Sequence, residues 1–216
     1  ETRWEGLNII NYQPCIYAVD AQNIGITGEG IINGNGSNER WWYMKGNKHH
    51  GYHEGVDEWQ GTDKVGTRAT LIKMADNNVP TAERVFGKGK GLRPQLINFL
   101  RCQNAIIEGV ELRDSPFWVI HPIFVKNLTV RGVTIYNEGP NGDGCDPESC
   151  EDVLIENCTF HTGDDCIALK SGRNADGHRA NTPCKNVIIR KCKMADGHGG
   201  VVIGSEISGG CTNIFA

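Results

Sequence analysis

The chain has no apolar run near the ~18 residues a membrane-crossing helix needs. It also has no excess of basic residues, no CxxC pair and, over its second half, no convincing 3.6-residue periodicity. Each absence removes a class. No membrane association is expected. A formal net charge of −4 offers no electrostatic footprint for nucleic acid. Without CxxC pairs zinc is a poor reading of the nine cysteines, and an odd number cannot all be paired in disulfides. They read as small buried apolar side chains. The opening ETRWEGLNII lacks a basic stretch followed by an apolar one, so no secretory leader is read there. Glu1 runs straight into strand-like sequence and NIFA at 213–216 stops inside a repeat, so the chain is expected to be cut at both ends.

Glycine, in contrast, is plentiful: 28 of 216 residues, well above average usage, so the chain turns often. The length suits one domain, 1–216, with a sizeable core. Several segments share a pattern: Asn or Asp, then alternating apolar residues, then a polar break. Asn104, Asn127, Asp152, Asn186 and Asn213 lead copies spaced 23, 25, 34 and 27 residues apart, and Asn23 leads an earlier one. A period of this size built on strands means a solenoid. Six residues after the lead positions stand Val110, Val133, Cys158 and Cys192, the small apolar column a stacked interior requires. The leads themselves suggest an asparagine ladder at a bend, its amides satisfying turn backbone groups. The expected fold is an all-β, right-handed parallel β-helix.

Residues 34–95 break the period and read as an excursion from the solenoid with short elements of its own. Trp41, Trp42, Tyr43 and Trp59 are expected to pin it to the solenoid rather than to stack on a ligand. His49, His50 and His53 are read as a solvated loop rather than a metal site.

Three runs carry the chemistry: NGDGCDP at 141–147, TGDDCIALKSG at 162–172 and DGHGGVVIGSE at 196–206. Aligning Ser171 with Ser205 as stacked equivalents matches Asp165 to Gly199 and Asp164 to His198. Asp143 lies one coil earlier. Stacked coils ~4.8 Å apart would gather Asp143, Asp164, Asp165 and His198 into one patch. Carboxylates with a histidine are what hydrolysis of a glycosidic bond needs. Adjacent aspartates on a regular strand point to opposite faces, so a turn or bulge is expected at Gly163.

NGDG, GDDCIA and GHGG, in that order, resemble the motifs of the polygalacturonases, glycoside hydrolase family 28, of the pectin-lyase-like β-helix class. LRPQLINFLRCQNAIIEGV and SPFWVIHP extend the likeness, and GPNGDGCDPESC and SGRNADGHR are most similar to the bacterial exo-acting branch. The resemblance implies inverting hydrolysis of α-1,4-galacturonosyl linkages. Asp164 would be the general acid, Asp143 and Asp165 the pair that activates water, and His198 an assistant to the acid or a substrate contact. Crowded carboxylates raise a pKa, and an inverting pair needs roughly 6.5–9.5 Å to admit the water. Asn141, Gly199, Lys170, His121 and Arg173 are candidate substrate contacts, the cationic ones because the substrate is a polyanion. No cofactor or metal is implied. The partner is a pectic polysaccharide (homogalacturonan) or its oligogalacturonides, the chain a monomer, and the location secreted or periplasmic, inferred from the substrate. Family members carry an Arg-x-Lys motif after GHG, and this chain ends at Ala216 before one, a second reason to expect a piece of a longer protein. Two other functions stay open: a polysaccharide lyase on the same fold, with Ca²⁺ on the carboxylates, and a non-catalytic carbohydrate-binding β-helix. Rhamnogalacturonan is the alternative polymer.

Overall fold

Three parallel sheets stack around one apolar interior in the computed structural model, which describes residues 1–216. The first sheet holds Gln22–Thr27, Gln103–Glu108, Lys126–Arg131, Glu151–Glu156, Cys184–Arg190 and Cys211–Phe215. The second holds Ile31–Asn33, Glu111–Arg113, Thr134–Asn137, Thr159–Thr162 and Lys193–Asp196. In the third, Ile16–Val19, Ile97–Leu100 and Ile120–Ile123 pair in parallel. Bridges from Ile120 to Cys145 and from Cys145 to Ile167 carry that sheet on to Ile167–Leu169 and Val201–Ile203. Each circuit of chain gives one strand to each sheet, and the result is the expected right-handed parallel β-helix.

The repeat is legible because every circuit meets the same two demands. The first is burial. Val110, Val133 and Cys158 are buried in column, and Cys192 is half-buried above them. A second column, two residues before each lead, runs Ala21, Cys102, Val125, Cys150, Cys184, Cys211. All nine cysteines are free, and six are buried. Each buried aliphatic side chain in such columns contributes about 1.5–3 kcal/mol. The second demand is a sharp bend. Asn23, Asn104, Asn127, Asp152, Asn186 and Asn213 all take the left-handed conformation, with φ between 55° and 59°, which asparagine and aspartate tolerate best after glycine. Their amides bond one another rather than turn backbone, correcting the expectation. Asn104 Nδ2 donates to Asn23 Oδ1 and Asn127 to Asn104, both at 2.9 Å. Asn186 donates to Asp152 at 2.9 Å and Asn213 to Asn186 at 3.0 Å.

Between Asn33 and Ile97 the chain leaves the sheets for three 3-10 turns and helix α1 (Gly66–Asp76). Trp42 Nε1 donates to Ser115 O at 3.0 Å, and a Cβ on Gly139 would lie 2.4 Å from the Trp42 ring. The histidines form no cluster: His53 pairs with Asp57 at 3.1 Å in solvent. Residues 2–9 form an antiparallel hairpin, Thr2–Trp4 with Leu7–Ile9. With α1 it builds a second core of Trp4, Leu7, Ile9, Leu71, Leu92 and Phe117 over the third sheet. A short helix in the second half was not legible: α2 (Asn174–Ala180), seven residues, is too brief to show a period. It is held by Asp176, which accepts from Arg84, Arg179 and the Asn8 N–H. No helix is long and apolar enough to cross a membrane.

Candidate active site

Register on the third sheet builds the site. Ile120, Cys145, Ile167 and Val201 are successive partners, so two residues upstream Trp118, Asp143, Asp165 and Gly199 fall in one column. Next to Asp165, Asp164 is stacked on His198, whose N–H donates to Asp164 O at 3.0 Å. Both aspartates reach the cleft because the chain bends at 163–164, between strands. Gly163 is required there by close approach: a Cβ would lie 2.4 Å from Glu138 O. The counted alignment fails only past Leu169. Ser171 N–H donates to Glu206 O at 2.7 Å and Gly172 bridges Ile207. One extra residue therefore makes Glu206, not Ser205, the stacked partner of Ser171.

Asp143, Asp164 and Asp165 each bring one oxygen within 4.8 Å of the others. This is closer than the gap expected for an inverting pair. That rule treats one pair flanking one water. With three carboxylates on the cleft, two can hold the water from the same side, so the spacing does not by itself select an outcome. The same oxygens are a hard donor set of the type Ca²⁺ takes.

Asp143 is 3% exposed and its Oδ1 has no hydrogen-bond partner. Burial, then the Asp164 carboxylate, pushes its pKa well above the ordinary value. Asp165 is raised too, by burial and then by Asp164, although the nearby Gly199 N–H works in the other direction. Behind them Asp146, fully buried and with neither carboxyl oxygen hydrogen-bonded, is raised by burial and by Asp143. Such a cluster titrates as a unit and retains a proton into mildly acidic solution. Asp164 is partly exposed: its Oδ1 lies 3.2 Å from His198 Nδ1, and its Oδ2 accepts from Asn141 Nδ2 at 3.4 Å. His198 is largely exposed.

The candidate substrate contacts fare unequally. Asn141 and Gly199 lie in the cleft against Asp164 and Asp165. Lys170 lines the cleft but is not a free cation. Its Nζ donates to Gly204 O and pairs with Glu206, both at 2.9 Å, beneath the Trp118 ring. Burial lowers its pKa, but Asp146, Glu206 and Asp143 outweigh that and raise it. His121 is fully buried and cannot touch substrate. Gln95 Nε2 donates to its Nδ1 at 3.0 Å, leaving Nε2–H to donate to Glu148 Oε2 at 2.8 Å. Burial depresses its pKa, so it is neutral. Arg173 is spent on Glu5 at 2.9 Å and Asp63 at 2.8 Å.

Trp118, Glu206, Glu5 and Arg68 also line the cleft and were not foreseen. Trp118 carried a signal, since it precedes Ile120 by the same two residues that separate Asp143 from Cys145. Glu206 was hidden by the extra residue. Glu5 and Arg68 come from the hairpin and α1, which have no repeat to align. A larger recess of about 390 Å³ lies on the excursion between Tyr43 and His53. It contains none of the clustered carboxylates.

Comparison with known proteins places the chain among relatives of one family. The model of the glycosyl hydrolases family 28 matches residues 80–214. A crystal structure of a hyperthermoactive exopolygalacturonase from Thermotoga maritima is 44% identical, with a TM-score of 0.88, covering 99% of this chain and 47% of that one. An exo-poly-alpha-D-galacturonosidase of Dickeya chrysanthemi is 28% identical over 213 residues, 90% of this chain and 32% of the relative. A Vitis vinifera protein described as a probable polygalacturonase is 37% identical over 133 residues, 60% of this chain and 27% of the relative. The chain thus spans about a quarter to a half of the length of these relatives.

Proposed function

The chain belongs to the glycosyl hydrolases of family 28, and from that membership we propose that the whole protein hydrolyses α-1,4-galacturonosyl linkages of pectin by inverting acid–base catalysis. The observation that carries the acid–base part of the reading is the gathering of Asp143, Asp164 and Asp165 within 4.8 Å, with His198 against Asp164; the inverting outcome rests on the family membership. Asp164, partly exposed, gives its proton to the leaving glycosidic oxygen. Asp143 and Asp165 hold the water and take its proton as it attacks the anomeric carbon. His198, beside Asp164 Oδ1, helps restore the acid. The raised pKa values of Asp143 and Asp165 support a cluster that still holds a shared proton in mildly acidic solution. Exo action is part of the proposal. It is supported by the excursion, whose Arg68 lines the cleft and whose Trp42 packs on Gly139, and by the likeness to an exopolygalacturonase. A polymeric pectic substrate supports a secreted or periplasmic location as part of the same proposal, and the reaction as proposed uses no cofactor.

The test is product analysis of the full-length protein on polygalacturonate, with the first-formed anomer read by NMR. Free galacturonate alone from the earliest time, released as the inverted anomer and abolished by Asp164→Asn, is the expected result. Mixed oligomers sink exo action, a retained anomer sinks the inverting step, and an unsaturated, chelator-sensitive product replaces hydrolase with lyase.

A further inference from the structure

Asn141 joins the cleft to the excursion, and the chemistry of its neighbours fixes which way its amide points. Lys45 Nζ donates to Asn141 Oδ1 at 3.0 Å, and Arg93 NH2 donates to the same oxygen at 2.8 Å. Neither cation can accept a hydrogen bond, so the amide atom facing them must be oxygen. The nitrogen is thereby turned toward Asp164 Oδ2, 3.4 Å away. Both cations are themselves held. The Arg93 side chain is fully buried: NH1 donates to Pro116 O at 3.0 Å and Pro140 O at 2.6 Å, and NH2 to Gln60 Oε1 at 3.0 Å. Lys45 ends the turn Trp42–Lys45 that Trp42 anchors on Ser115, and its carbonyl accepts from Trp59 Nε1 at 3.2 Å. Arg93 has no carboxylate partner. Burial lowers its pKa to about 9, leaving it a cation at working pH.

We propose that Lys45 and Arg93 are positioning residues for the reaction: by locking the Asn141 amide they keep an N–H on Asp164 Oδ2, so that Oδ1 is the oxygen that carries and delivers the proton. The inference rests on the hydrolase reading. Asn141 then acts on the acid rather than on the sugar. In the step, the proton leaves Asp164 Oδ1 for the glycosidic oxygen as the C–O bond breaks, and the carboxylate formed keeps the Asn141 N–H. The other groups facing Asp164 are His198 from the next coil, Asp143 from the previous one, adjacent Asp165, Asp146 behind the floor and Lys45 itself. An N–H donor that stabilises the ionised acid is worth most once the proton has left.

Asn141→Asp separates this role from a structural one. The new carboxylate still accepts from Lys45 and Arg93, but it cannot donate to Asp164. In the full-length protein on oligogalacturonates, N141D should keep its melting temperature, lose about 100-fold in kcat and hold KM within about threefold. The basic limb of its pH–rate profile should move to higher pH, since an added carboxylate makes the cluster harder to deprotonate. Lys45→Met should lose roughly tenfold in kcat, and Lys45→Arg should recover most of it. Wild-type kcat in N141D, or a loss confined to KM, overturns the proposal. Wild-type protein that cleaves no galacturonan sinks the hydrolase reading instead. The ring resonances of His198 then decide the positioning alone. They should change in K45M whether or not sugar is turned over, and unchanged resonances refute the coupling.

Discussion

Glu148→Gln tests whether the buried ion pair beneath the cleft is held together by charge. Glu148 is completely buried, with Arg3 NH1 at 2.7 Å on one oxygen and His121 Nε2 at 2.8 Å on the other. Burial alone would raise its pKa. The Arg3 charge and the His121 hydrogen bond overcome this and bring it from 4.5 to about 2. Each unit is about 1.4 kcal/mol, so the ionised carboxylate contributes about 3 kcal/mol at neutral pH. The glutamine variant leaves Arg3 buried without its counter-charge, which by itself costs roughly 3–5 kcal/mol. Two routes therefore agree on a loss of about 3 kcal/mol at pH 7. The pH window follows from the sign. A folded pKa below the unfolded one gives stability that is complete above about 4.5. It is lost as pH falls through about 2. At pH 3 about 2 kcal/mol of the difference should have gone. Urea unfolding of wild type and E148Q at both pH values measures it. His121, buried and neutral at pH 7, also costs stability as pH falls, and more so in E148Q, where the carboxylate that raises its pKa is gone, so its titration offsets part of the narrowing at pH 3. The same gap at pH 7 and pH 3 would show that the pair acts through packing, for instance Arg3 over Phe124, and not through charge.

Asp143→Asn should abolish hydrolysis yet stabilise the fold by about 1–3 kcal/mol at pH 7. The folded pKa of Asp143 is raised, so its ionisation costs stability as pH climbs above the unfolded value, and the advantage should vanish below pH 3.8. Calorimetry at pH 7 and pH 3.5 checks this, and a variant less stable at pH 7 contradicts it. Asp152→Asn should stabilise by about 0.5–1 kcal/mol. Aspartate accepts from Asn186 but has no N–H for Asn127 Oδ1, and an amide supplies one. An unchanged unfolding midpoint would mean that the ladder gains nothing from continuity at Asn127.

What was readable in the chain is what the solenoid repeats. Asn104, Asn127 and Asn186 recur because each circuit needs a left-handed bend at the same place. Val110, Val133 and Cys158 recur because each needs a small apolar group beneath it. Asp143, Asp164, Asp165 and His198 ride on that register, so counting residues was enough to bring them together. Counting failed at Glu206 because one inserted residue shifts everything after Leu169. It misplaced His121, which is fully buried, and could not see that Lys170 and Arg173 are paired, because alternation tells which face a side chain takes, not what already occupies that face. The hairpin's Arg3 lies across Glu148, Glu5 occupies Arg173, and Glu206 occupies Lys170. Lys45, Arg68 and Arg93 come from segments without a second copy, where no alignment exists to expose them.

This division has a chemical consequence. The repeated coils supply Asp143, Asp164, Asp165 and Glu206 of the cleft, while the unrepeated segments supply Glu5 and the cations Arg3, Arg68, Arg93 and Lys45. Nearly every one of these cations is already spent on a protein group. Arg68 lies 2.8 Å from both Glu5 and Asp63, and Lys170 is on Glu206. Apart from Lys45 and the buried Arg93, whose partners are neutral oxygens, the cleft therefore offers a polyanion little unpaired positive charge, consistent with a net charge of −4. If the substrate is the galacturonan of the proposal, its carboxylate would meet least repulsion when the acidic cluster is partly protonated. On the proposed function, the burial that raises Asp143 and Asp165 would serve binding as well as proton transfer, both strongest on the acid side of neutrality.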